Sequence, residues 1–151
     1  MQSDPREPRI VPELLVSNFS RSLSFYREVL GFAELYGRHE EGFSKLDLNG
    51  AQIMIEERSE SHERDWVLGE LAHPYGRGLN LEIDVDDVDA IHRNCQMAAA
   101  RIFLPLEEKW YRGDDVFLGV RQFIVVDPDG YLLRFSQFLG SRTGVGEEAH
   151  D

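Results

Sequence analysis

Apolar residues in this chain come in short runs whose period changes from two to a helical spacing and back again, twice over. The run at 10–17, IVPELLVS, has strand composition, with Pro12 early enough to suit an edge or a strand start. Asn18 then caps a predicted helix in which Leu23, Tyr26, Val29 and Leu30 share one face and which Gly31 ends. Strands are expected at 32–38, 43–48 and 51–57, the last two joined by Asn49-Gly50, a strong two-residue hairpin signal. Residues 58–78 are polar and weakly periodic, and read as a connector with at most one short helix. The pattern then repeats. A strand is expected at 79–85 and a helix capped by Asp86 or Asp87 running to about Ala100, with Val88, Ile91, Cys95 and Ala98 inward. Strands at 102–105, 117–127 and 131–138 follow, separated by a loop around Trp110 and by the DPDG turn.

Each half is therefore βαβββ, and the expected fold class is α+β, with paired βαβββ modules and a cleft between their sheets. The expected organisation is a single domain over 1–151. It holds module one at about 10–57, the connector at 58–78, module two at about 79–139 and a flexible tail at 140–151. Whether the modules pair within one chain or across a dimer is not fixed by the pattern.

Composition narrows the function more than the fold. A 42% hydrophobic, 11% aromatic chain of 151 residues is that of an ordinary globule. No apolar run approaches the ~20 residues of a membrane span, and the polar start lacks a signal-peptide core, so a cytoplasmic protein is expected. The single Cys95 excludes an internal disulfide and a multi-cysteine zinc cluster. A net charge of −12 repels phosphate backbones, excludes nucleic acid as a natural partner, and steers cations toward the surface.

One residue breaks the apolar logic of VVDPDGYLLRF (125–135): Arg134, set among Tyr131, Leu132, Leu133 and Phe135. Taking a guanidinium out of water requires a partner. The two halves align so that Val11 falls opposite Asn80, and Glu56 opposite Arg134.

LLVSNFSRSLSFYREVLGF followed by GAQIMIEE, and LEIDVDDVDAI followed by FIVVDPDGYLLRF, together resemble the vicinal oxygen chelate superfamily over residues 10 to 138. Glyoxalases, dioxygenases and bleomycin-resistance proteins belong to it. The resemblance implies paired βαβββ modules, commonly a homodimer, and a metal ligand on the first and last strand of each module. Carried over, those positions are Val11, Glu56, Asn80 and Arg134. Only Glu56 is a good ligand, and a guanidinium repels a divalent cation. Shifting the first strand by two residues offers Glu13, and Arg134 still remains. No metal and no cofactor is expected.

Strand alternation puts Val11, Glu13 and Leu15, then Gln52, Met54 and Glu56, then Asn80, Glu82 and Asp84, then Leu132, Arg134 and Ser136 on mixed faces suited to a ligand. Arg134 is expected beside Glu56 or Glu82, supplying the positive charge that a metal would have supplied, either for a ligand or as a salt bridge. Trp110, in the polar EKWYRGDD stretch, suits stacking on a flat or cationic ligand; the corresponding loop of bleomycin-resistance proteins helps line the ligand cleft, and this chain is similar in having Trp110 there, while anchoring the loop or a dimer contact is the alternative. Trp66 and Phe43 are secondary wall candidates. The histidines at 39, 62, 73, 92 and 150 form no metal-binding spacing, though His73 beside Pro74 and Tyr75 invites a check for proximity to the site. The expected ligand-binding set is Glu56, Asn80, Glu82, Trp110 and Arg134, with no catalytic residue.

The reading is a metal-independent protein that sequesters a small organic ligand, cationic and aromatic in character, as bleomycin-resistance proteins do. One alternative is a metal-dependent glyoxalase- or dioxygenase-type enzyme. Another is a metal-free lyase or isomerase in which Glu56 or Glu82 acts as base and Arg134 stabilises an enolate. A third is a module binding a regulatory metabolite.

Overall fold

A computed structural model describes residues 7–59 and 65–143. Its described residues fall into two compact units. One runs to Gly78 and includes Asp127–Tyr131; the other holds Leu79–Val126 and continues from Leu132.

The first unit carries β1 (Glu13–Val16), α1 (Phe19–Ser24), β2 (Ala33–Arg38), β3 (Phe43–Leu48) and β4 (Ala51–Glu57), in a sheet of order β1-β4-β3-β2. β1 runs parallel to β4, and the other pairs are antiparallel. The Asn49-Gly50 turn has φ of 50° and 97°, the left-handed pair that a type I′ hairpin needs. Asn18 caps α1 by accepting from the Arg21 N–H at 3.0 Å. The helix then widens into a π turn over Phe25–Val29, which the 3.6-residue reading did not anticipate. Gly31, with φ of 87°, ends it.

Leu14, Val16, Ile53 and Ile55 lie on one face of this sheet, buried with Tyr26 and Leu30. Tyr26 is fully enclosed and donates its O–H to Asp127 Oδ2 at 2.7 Å. Burial, and then the charge of Asp127, pushes the phenol well above its usual range. Burial pushes the Asp127 carboxyl up, against the pull of Tyr26 and the Tyr131 and Asp129 N–H groups. Replacing Tyr26 by Phe leaves that buried carboxylate one donor short, and a loss of about 1–2 kcal/mol in denaturant unfolding is expected.

Within the same unit the DPDG turn is an acceptor hub. Asp129, side chain 1% exposed, receives the Ser17 N–H at 3.0 Å, the Ser17 Oγ–H at 2.5 Å and His73 Nε2 at 2.7 Å. His73 stacks on Tyr75 at 4.1 Å, and Tyr131 donates its O–H to the Leu15 carbonyl at 2.9 Å. His73 is thus bound to the turn. His62 and His150 lie outside the described residues.

The second unit carries β5 (Asn80–Asp84), α2 (Val88–Met97), β6 (Arg101–Arg112), β7 (Val116–Val126) and β8 (Leu132–Thr143), in the order β5-β8-β7-β6. The βαβββ pattern recurs as expected. Asp87 caps α2 through the Ala90 N–H at 3.2 Å, and Ala99, with φ of 53°, takes the left-handed position that a glycine usually fills. Ile83, Val88, Cys95, Phe123, Val125, Leu133 and Phe135 form the buried layer. Burial pushes the free Cys95 thiol up to about 11, so it is a packing residue.

Three boundaries differ from expectation. The first strand starts at Glu13, one residue after Pro12. The loop expected around Trp110 is the outer half of β6, paired with β7 through Trp110↔Gly119 and Arg112↔Phe117. Polar residues stand on both of its faces because this arm is exposed on both, which erases the alternation that a half-buried strand shows. β8 likewise continues to Thr143, so 140–143 are strand; 144–151 lie outside the described residues. The connector from 65 to 78 contains no helix.

Candidate functional site

Opposite the buried face of the first sheet, strand register assembles a second, chemically mixed face. Glu13, Met54, Lys45 and Tyr36 form one row across it; Leu15, Glu56, Phe43 and Arg38 form the next. Phe43 is 4% exposed and half-exposed Tyr36 leans toward it, ring centroids 5.9 Å apart. The Arg38 guanidinium lies 4.3 Å above the Phe43 ring while its Nε donates to Glu41 at 2.6 Å. Lys45 Nζ stands 5.9 Å from the Tyr36 ring. This face already holds cations against aromatic rings.

Glu13 and Glu56 are adjacent on it. Burial, then a hydrogen bond that Glu13 donates to the Glu56 carboxylate and the like charge of Glu56, pushes the Glu13 carboxyl above its ordinary value, against the pull of Arg38. Glu56 also lines a cavity of about 670 Å³ with Phe19, Arg38, Glu57, Arg58 and Asp65, within the size range of small-molecule sites.

In the second unit, Arg134 has its partner. Register sets Arg134 directly beside Glu82, and its Nη2 donates to Glu82 Oε2 at 2.9 Å. The side chains are 27% and 53% exposed, a half-covered pair. Asn80 is exposed at the start of β5. Trp110 sits over Gly119, under the Arg142 guanidinium at 3.8 Å, on the face opposite Arg134 by the alternation of β7. Structure thus joins Glu82 to Arg134, and sets Glu56 beside Glu13. Exposed Trp66 stands in the connector. Glu13 and Tyr36 were absent from the expected set. Glu13 was readable from alternation alone, whereas the β2 bulge between Glu34 and Tyr36 hid which face Tyr36 takes.

Comparison with known proteins decides the family. The model of the Glyoxalase/Bleomycin resistance protein/Dioxygenase superfamily matches residues 9–135. The chain belongs to this superfamily. The bleomycin resistance protein of Geobacillus stearothermophilus is 28% identical over 137 residues, covering 87% of this chain and 97% of its own. A bleomycin resistance protein of Staphylococcus aureus matches with the same figures. Among solved structures, TioX from Micromonospora sp. ML1 superposes with a TM-score of 0.65 at 25% identity, over 85% of this chain and 98% of its own. An Agrobacterium tumefaciens protein of unknown function gives 0.64 at 27% identity, over 91% and 96%. The two βαβββ modules are the fold of this superfamily.

The four positions to which the resemblance carried the superfamily's metal ligands make a poor donor set. Val11 has no donor atom, Asn80 offers a weak one, and Arg134 is a cation that already occupies Glu82. Among the described residues no group of three or more His, Cys, Asp and Glu could hold a metal ion. Nor is any described helix long and apolar enough to cross a membrane.

Proposed function

We propose that this protein binds and sequesters a small cationic, aromatic molecule without a metal and without altering it. The observation that carries this reading is the Glu13–Glu56 carboxyl pair beside the Tyr36–Phe43 wall on one sheet face. A ligand cation faces the two carboxyls and its flat part lies against the half-exposed Tyr36 ring. Asn80 and Trp110 are not needed by this reading. The relatives named for bleomycin resistance support an antibiotic as ligand. The −12 net charge favours a cation over an acidic metabolite and over nucleic acid. A cytoplasmic homodimer completes the proposal. The buried, free Cys95 suits a reducing compartment, and exposed Leu118 and Phe138 suit coverage by a second copy, which sedimentation velocity checks.

The raised pKa of Glu13 also suits a general base, so a metal-free enzyme is the second reading. Mass spectrometry separates the two. Bleomycin incubated with the protein and released by denaturation is expected at unchanged mass; a shifted mass establishes turnover and overturns sequestration.

Replacing Arg134 by Leu tests the second unit. Its Glu82 partner is more than half exposed, so stability is expected to fall by no more than about 1 kcal/mol. Denaturant unfolding checks this, and a loss well above that figure would show that the pair holds the sheet together.

A further inference from the structure

Two buried polar atoms of the second unit have no hydrogen-bond partner among the described residues: Arg134 Nε, a donor, and Gln122 Oε1, an acceptor. Gln122 is 2% exposed. Its amide orientation is set by its neighbours, because Nε2 donates to Glu107 Oε1 at 3.1 Å and to Tyr111 Oη at 2.8 Å, and a carboxylate only accepts. The oxygen is therefore the end left over. On Arg134 the Glu82 bond employs Nη2 and leaves Nε. Register pairs Gln122 with Ser136 and Ile124 with Arg134, which makes Gln122 and Arg134 diagonal neighbours on one face. Native proteins rarely leave even one buried polar group unmade. Here one donor and one acceptor are left on diagonal residues of one face.

We propose that this pair reads a carboxamide edge of a small molecule bound on the second unit, a C=O beside an N–H. The carbonyl oxygen accepts from Arg134 Nε–H and the adjacent N–H donates to Gln122 Oε1. Diagonal positions on adjacent strands are roughly 7 Å apart at the backbone, a gap of the order that two hydrogen bonds and an amide fill. A carboxylate fits poorly, having no proton for Gln122 and facing Glu82 and Glu107. An ammonium has nothing for Arg134. Ile124 on the same face offers apolar contact for what the amide carries. Exposed Glu82 and Tyr111 admit the group by ordinary rotamer exchange.

This inference rests on the reading of the chain as a small-molecule binder, and its test is separate from that of the carboxyl pair. The full chain, labelled with ¹⁵N, is titrated with benzamide, N,N-dimethylbenzamide and benzoate, following the Arg134 Nε–H and Gln122 side-chain resonances. Benzamide is expected to shift both saturably. The dimethyl analogue, which has no N–H, and benzoate are expected to bind at least tenfold more weakly. Gln122→Met and, independently, Arg134→Lys are each expected to weaken benzamide at least fivefold. Equal response to all three probes, or none to benzamide, overturns the pair. If bleomycin still binds through Glu13 and Glu56, only the carboxamide reading falls; if both titrations are flat, the binding reading falls with it.

Discussion

Changing Glu13 and Glu56 together to Gln is expected to weaken a cationic aromatic ligand such as bleomycin by roughly 30-fold, about 2 kcal/mol, with no loss of thermal stability. Affinity falls because the ligand cation loses both carboxylates. Stability holds because the substitutions remove a like-charge contact that raises the Glu13 pKa. The same pair sets a pH dependence whose sign follows from that shift. Wild-type affinity is expected to decline as pH falls through the raised Glu13 pKa, since a protonated carboxyl no longer faces the cation with full charge. The double variant lacks this decline. Stability runs the other way. A carboxyl raised in the folded state contributes stability that is complete below its ordinary 4.5 and is lost as pH rises through the folded value. Low pH thus favours the fold at this pair and disfavours the ligand. Calorimetric titrations over a pH series, paired with melting curves, check both signs.

The second large effect lies in the DPDG turn. Asp129→Ala is expected to destabilise the protein by about 3 kcal/mol, because it removes the buried acceptor of three donors from Ser17 and His73. For a chain of this length that is a fall of roughly 6–12 °C in Tm. Asp129→Asn keeps one oxygen and adds an unwanted donor, so an intermediate loss is expected. A melting temperature within a degree or two of wild type for the alanine variant would show that these bonds are made and lost without net effect.

Sequence showed the fold most clearly where a physical signal was local. Asn49-Gly50 fixed a hairpin, Asn18 and one of the two adjacent aspartates fixed helix starts, and alternation in LNLEIDV and AQIMIE named buried faces that the structure reproduces. It failed where the signal was absent. The arm of β6 and β7 has solvent on both faces, so KWYR read as loop. Nor does helical periodicity reveal a π turn such as that over Phe25–Val29. For the site, the misplaced charge of Arg134 was legible as a demand for a partner, and Glu82 meets it. Glu13 was on the right face by counting, but its significance depends on parallel register with β4, a long-range pairing that no local pattern encodes. Gln122 was invisible for the same reason. What makes it notable is a bond it lacks after Glu107 and Tyr111 have taken its nitrogen.

The measurement that bears most directly on metal-independent binding at the carboxyl pair is a calorimetric titration of the full chain with metal-free bleomycin in excess EDTA. Saturable binding in EDTA, weakened at least tenfold by the Glu13→Gln, Glu56→Gln double substitution, is the predicted result. Binding that returns only when a divalent metal is restored, or that ignores the double substitution, would contradict it.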